Sequence, residues 1–151
     1  MSLAEEVSLL KSIPLFAKIE PSKLKLLAFT SERLAFDPDQ ELFHQGDMGD
    51  AAYIVIDGEV AISIDAPSGS IELAKLGRGA IVGEIAILCD VPRTATVTAR
   101  GKTVTLKISK ELFFRLITEF PQIAVEVMRE LAHRLETTTL QLREARTAKP
   151  H

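Results

Sequence analysis

Gly83 stands immediately before Glu84-Ile85-Ala86-Ile87-Leu88, and Arg93 follows directly after Pro92. A glycine ahead of a short apolar run reads as a turn into a very short helix. The first N–H groups of such a helix lack internal partners and attract anions. Gly83 also lets a ligand come close to the backbone. Glu84 suits a phosphate badly, because two anions repel. It suits a sugar hydroxyl well, because a carboxylate accepts hydrogen bonds. Arg93 offers a planar fork of donors matched to phosphate oxygens, and Pro92 sets the angle at which it enters a strand expected over Thr94–Ala99. Amides, a carboxylate and a guanidinium together fit a sugar that carries a phosphate. A Glu and an Arg nine residues apart is also, and more often, a surface ion pair, so Val82–Ala99 has to be read with its scaffold.

The scaffold upstream is helical and then β. Leu3, Val7 and Leu10 have helical spacing within residues 3–11, and Pro14 ends that segment. The stretch I-P-L-F-A-K-I-E-P reads as a turn of helix with Leu15 and Phe16 inward. Pro21 followed by Leu24, Leu27 and Ala28 predicts a second short helix. From Arg33 the period becomes two: Leu34 and Phe36, then Leu42 and His44, alternate with polar neighbours. Turn chemistry recurs at Asp37-Pro38-Asp39, Gly46–Asp50, Pro67–Ser70 and Gly77–Gly79. Asp57-Gly58 predicts a hairpin between strands at Tyr53–Ile56 and Val60–Ile64. Ile71–Leu76 alternates again. Val104–Ile108 is a further strand, joined to Thr94–Ala99 through Arg100-Gly101-Lys102. Short strands with turns every 8–12 residues predict a sandwich, jelly roll or barrel.

Beyond Ser109 the period is helical once more. Ser109 reads as an N-cap, with Leu112, Phe113, Leu116 and Ile117 on one face. Pro121 starts a long helix expected over 121–146. In it Met128, Leu131, Leu135, Thr138, Leu142 and Ala145 step by threes and fours, the pattern of a seam between two copies. The alternative is a helix lying on its own β domain. The tail 147–151 is expected to be disordered.

Composition narrows the class. A chain of 151 residues suits one domain with a core. Its net charge of −3 argues against nucleic acid as a direct partner, since such domains are usually basic. No run approaches the roughly 18 apolar residues of a membrane helix. The acidic start M-S-L-A-E-E is no signal peptide. Cys89 is the only cysteine, which excludes an intramolecular disulfide and a Cys-rich metal site and fits a cytoplasmic protein. It reads as a small apolar filler. His44, His133 and His151 are scattered. His44 alone makes a poor metal site and reads as structural, and His133 reads as solvent-facing or close to the seam. Asp47, Asp50 and Asp57 read as turn caps, and Tyr53 and Ile54 as core. No nucleophile–base pair stands at a recognisable spacing, so no enzyme, metal or cofactor is expected.

The whole string alters the balance at the site. G-E-I-A-I-L-x-x-x-P-R-T-A-T-V resembles the phosphate-binding cassette of cyclic-nucleotide-binding domains. F-H-Q-G-D-x-G-D-x-x-Y-I-V-I-x-G-x-V is similar to the β-roll of that family, seen in the catabolite activator protein and protein kinase regulatory subunits. The resemblance covers about residues 10–145. It implies an α+β, mainly β fold: an eight-stranded β-roll or jelly roll with short N-terminal helices and a long C-terminal helix. As one domain this divides into helices at 1–32, the roll at 33–109 with its cassette at 82–96, closing helices at 110–146, and the tail. The resemblance implies that Glu84 binds the ribose 2′-hydroxyl, that Gly83, Ile85 and Ala86 present backbone, and that Arg93 pairs with an equatorial phosphate oxygen. It puts Thr94 at the phosphate or base and the Ala95 N–H at the ligand. Thr138 and Thr139 are the candidate base contacts. Threonines in a helix also simply bond to the preceding turn. Val82 departs from a frequent aromatic and should alter packing beneath the cassette. The implied ligand is cAMP before cGMP, although a hydroxyl at Thr94 can serve either. The implied partners are a second copy through 121–146 and an unknown downstream protein. The rival readings are a ligand-free dimerisation module of the same fold, the sensor part of a truncated transcription regulator, and a β-roll enzyme.

Overall fold

The computed structural model describes residues 2–148; the side chains at 15, 130, 134, 137–139 and 141–148 lie outside that description. The chain opens with α1 (Leu3–Ser12), a 3₁₀ turn (Pro14–Phe16) and α2 (Pro21–Thr30). The strands are β1 (Glu32–Phe36), β2 (Glu41–Phe43), β3 (Ala51–Asp57), β4 (Val60–Ala66), β5 (Gly69–Leu76), β6 (Ile81–Val82), β7 (Thr96–Ala99) and β8 (Thr103–Ser109). Helix α3 (Glu84–Cys89) interrupts them, and α4 (Lys110–Glu119) and α5 (Pro121–Ala148) follow. Ser2 and Ser109 cap α1 and α4, their hydroxyls accepting from Glu5 N and Leu112 N at 3.2 Å each. Pro21 and Pro121 open their helices, where a missing N–H costs nothing.

The strands form two antiparallel four-stranded sheets, ordered β1-β8-β3-β6 and β2-β7-β4-β5. This is the expected eight-stranded roll with flanking helices. Strand β3 shows how one sequence serves two cores. Tyr53 and Val55 face the inside of the roll, with Phe36, Leu42, Val60, Val82, Val97 and Ala99. Ala52, Ile54 and Ile56 face the other way, with Leu106 and Ile108 of β8, and the helices cover them. Leu10, Phe16, Leu24, Phe113, Ile123 and Val127 close that second core. A strand buried on both faces reads as a continuous apolar run, which A-A-Y-I-V-I is.

The expected hairpin at Asp57-Gly58 does not form. Strand β3 pairs with β8 and β6, whereas β4 pairs with β5 and β7. The chain crosses from one sheet to the other at this point. Gly58 does adopt the positive φ, 97°, that the signal implies. A side chain there would come within 2.7 Å of the Lys102 carbonyl, so the glycine serves a tight crossing. The true two-residue hairpin turn is Pro67-Ser68, with Ala66 opposite Gly69.

The long helix also differs from expectation. It runs to Ala148, two residues past the expected end. Ile123 and Val127 are buried, and Leu131 packs on the helix-side core. Leu131 therefore faces its own domain and leaves the expected seam. The outward stripe is Val125, Met128, Ala132 and Leu135, spaced three, four and three, with Met128 60% and Leu135 68% exposed. Thr138, Leu142 and Ala145, the rest of the expected seam, lie outside the described side chains. Among the described residues no helix is long and apolar enough to cross a membrane.

Candidate functional site

Gly83 is the residue on which the site turns. It precedes α3 with φ 87° and ψ 1°, a left-handed conformation that β-carbons disfavour. A Cβ there would also meet Arg93 Nη1 at 2.7 Å and the Ala51 carbonyl at 3.2 Å. Glycine is thus required twice, by conformation and by space. The turn launches the short helix expected from the sequence, and its inward face carries Glu84, Ala86 and Ile87. Cys89, the last residue of that helix, is exposed. It is not the filler expected, because those three side chains already occupy the buried face.

Arg93 lies in the loop ahead of β7, which begins only at Thr96, and so not at the start of a strand as expected. Its backbone is held by another loop. Arg93 N donates to the Asp47 carbonyl at 2.8 Å, and Gly46 N donates to the Arg93 carbonyl at 2.9 Å. Its side chain turns inward and is 5% exposed. Nη1 donates to the Gly83 carbonyl at 2.9 Å and Nη2 to the Ala51 carbonyl at 2.8 Å. The guanidinium carbon lies 4.0 Å from the centre of the Phe43 ring. Nε is buried and has no hydrogen-bond partner among the described residues. Burial pushes the guanidinium below its ordinary pKa, while Tyr53, Asp50, Asp47 and Glu84 pull it back up.

Glu84 is 1% exposed. The pair Glu84 and Arg93 is therefore no surface ion pair. Burying two ionised groups is unfavourable unless each is well partnered. Gly83, Glu84, Ile85, Ala86, Arg93, Thr94 and Ala95, all expected at the site, line one cavity of about 70 Å³. Thr94 is exposed at its rim. Phe43, Ile62 and Val97 supply the apolar wall. Val82 is buried beneath the cassette in the roll core, as expected for a packing residue. The side chains of Thr138 and Thr139, expected at the base, lie outside the described residues.

Several contributors were not legible in the sequence. Phe43 was hidden by a register irregularity between Glu41 and Phe43. Alternation pairs Leu42 with His44, but a bulge breaks the period of two. His44 instead is exposed just past β2, its Nδ1 3.1 Å from Glu41 Oε1. That contact raises its pKa above 6.5, the hydrogen bond to Glu41 being the largest cause, followed by the charge of Glu41. The Ala51 carbonyl is backbone and leaves no trace in residue type. Gly49 reads as turn chemistry in the sequence, yet a Cβ there would meet Ala86 Cβ at 2.8 Å and Arg93 Cζ at 2.9 Å. Asp47 does cap its turn as expected, its Oδ2 accepting from His44 N at 3.3 Å.

Two four-stranded sheets thus form a β-roll that buries an arginine and a glutamate around a glycine turn. Residues 33–120, more than half of the chain, match the cyclic nucleotide-binding domain family, and the chain belongs to that family. It is 34% identical over 109 residues to a cAMP-dependent protein kinase regulatory subunit of Blastocladiella emersonii, covering 72% of this chain and 27% of that protein. The catabolite activator protein of Thermus thermophilus shares 31% identity and a TM-score of 0.76, over 87% of this chain and 62% of that one. The regulatory domain of Toxoplasma gondii PKA, solved with cAMP, shares 25% identity and a TM-score of 0.74, over 85% and 50%. The chain spans less than two thirds of the length of each of these relatives.

Proposed function

We propose that this regulatory domain binds a cyclic nucleotide, cAMP in preference to cGMP, and switches by movement of the cassette and the C-terminal helix. The observation that carries the reading is the state of Arg93. It is a buried guanidinium with two nitrogens fixed on carbonyls and the third, Nε, without a partner among the described residues. A buried polar group without a partner is unfavourable, and a phosphate oxygen would relieve it with a charge-assisted bond. Glu84, buried in the same cavity wall, accepts from the ribose 2′-hydroxyl in this reading. Gly83, Ile85, Ala86 and Ala95 present backbone to the sugar and phosphate, and Thr94 meets the phosphate or base. Thr138 and Thr139 of α5 close over the base. The apolar wall of Ile62 and Val97 favours the purine with fewer polar groups to satisfy, which is adenine. Relatives named for cAMP point the same way.

The cavity of about 70 Å³ is far below the roughly 300 Å³ or more of ligand pockets. In this reading the site widens as the nucleotide enters. A ligand shifts such an equilibrium only by binding one arrangement more tightly. The outward stripe of α5 supports a homodimer, and the output passes to an unknown downstream protein. The small cavity also favours a second reading, a dimerisation module without nucleotide.

A thermal unfolding series separates the two. With cAMP at about a hundred times its dissociation constant, binding to the native state adds about 2.7 kcal/mol and raises Tm by several degrees. cGMP raises it less, and 5′-AMP, which lacks the cyclic phosphate, leaves it in place. An unmoved Tm with both cyclic nucleotides at millimolar concentration favours the ligand-free module.

A further inference from the structure

We propose that Phe43 is a positioning residue for Arg93, holding the guanidinium in the plane in which it receives the phosphate; this rests on the reading of Arg93 given above. Phe43 is the last residue of β2 and lines the cavity. Its ring centre lies 4.0 Å from Arg93 Cζ. The ring is itself backed by Tyr53, at 5.9 Å between centroids and 34° between planes, and Tyr53 meets Phe36 edge-on at 6.5 Å. A row of three aromatic rings therefore runs from the roll interior to the arginine.

The arginine is fixed from several directions. Its Nη1 and Nη2 hold two carbonyls, which set its edge. Phe43 sets its face. Gly49 leaves so little room that a methyl group there would come within 2.9 Å of Cζ. Arg93 is thus ordered before any ligand arrives, and a binding group ordered in advance loses less freedom on binding. Three guanidinium nitrogens on two carbonyls and a phosphate hold the edge, while the ring and the close approach of Gly49 resist tilting out of plane. A desolvated guanidinium over an aromatic face is also one of the stronger cation–π arrangements.

Titration calorimetry on four proteins tests this: wild type, Phe43→Leu, Phe43→Tyr and Arg93→Leu, each with cAMP and with adenosine. Leucine keeps an apolar side chain at the wall and removes the ring. Phe43→Leu is expected to weaken cAMP about thirtyfold, the factor that a desolvated cation–π contact corresponds to. Phe43→Tyr restores the ring and returns affinity to within about threefold of wild type. Adenosine carries base and ribose without phosphate, so its affinity stays equal in wild type and Phe43→Leu. If adenosine weakens as much as cAMP, Phe43 acts through the base wall and the inference is overturned. Unchanged cAMP affinity in Phe43→Leu overturns it also. If Phe43→Leu fails to fold, Phe43→Tyr with weakened cAMP and unchanged melting temperature contradicts the proposal, and near wild-type affinity supports it. Failure of wild type to bind cAMP, by contrast, is failure of the functional reading itself.

Discussion

Arg93 carries two tasks in one side chain. It ties the Gly83 turn to the Ala51 carbonyl of β3, and its buried Nε has no partner among the described residues. Gly49 is what makes room for it. Gly49→Ala would place a methyl group 2.8 Å from Ala86 Cβ and 2.9 Å from Arg93 Cζ. Overpacking of this kind costs about 1–3 kcal/mol, so the variant should unfold at lower denaturant and bind nucleotide more weakly. His44 gives a pH-dependent expectation. Its pKa is held above 6.5, first by the hydrogen bond to Glu41. A raised histidine contributes stability that is present below the ordinary value and lost as pH rises through the raised one. A proton NMR titration should show His44 above 6.5 in wild type and lower in Glu41→Gln; equal values would remove Glu41 as the cause. At this scale the sequence was most informative where the site is contiguous. Gly83, Glu84 and Arg93 stand within eleven residues and announce themselves by type. Phe43 and the Ala51 carbonyl reach Arg93 only through folding, the first past a bulge and the second with no side chain involved.

Helix α5 divides its faces between two purposes. Ile123 and Val127 are buried on the domain, whereas Val125, Met128 and Leu135 point outward. Substitutions on the two faces should separate. Ile123→Ala, which empties a fully buried position, should cost about 2–5 kcal/mol in chemical denaturation. Leu135→Glu should leave that stability within about 0.5 kcal/mol and shift the protein from dimer to monomer in analytical ultracentrifugation. A wild type that sediments as a monomer would contradict the seam. The seven-residue spacing was legible in the sequence, but which face is inward was not. Leu131 fits both a seam and a core by type, and the domain against which it packs decides. The Asp57-Gly58 signal failed for a related reason. It specifies a positive φ, which Gly58 has, but the partner of each flanking strand is set by contacts far away in sequence.

As a whole the molecule is a roll with two cores sharing β3, one inside the strands and one beneath the helices. The site lies where these meet. Glu84 and Arg93 are buried beside the roll interior, while Ile87 of the same short helix packs into the helix-side core. In the proposed switch, a ligand that widens the cavity moves groups of α3 packed on the helix-side core, and through that core binding reaches α5. Coupling of this kind is typically about 1–3 kcal/mol, and hydrogen exchange should slow in α3 and α5 together when cAMP is added. The architecture was legible because alternation and turn residues recur through residues 33–109. The small size of the cavity was not, since volume depends on how the side chains of β2, β4 and β7 pack. The most direct measurement is a paired calorimetric titration of cAMP into wild type and Arg93→Leu. A saturable one-to-one isotherm for wild type, with affinity reduced at least a hundredfold in a variant that keeps its melting transition, is the expected result. Equal binding by the two proteins would place the phosphate elsewhere and contradict the account.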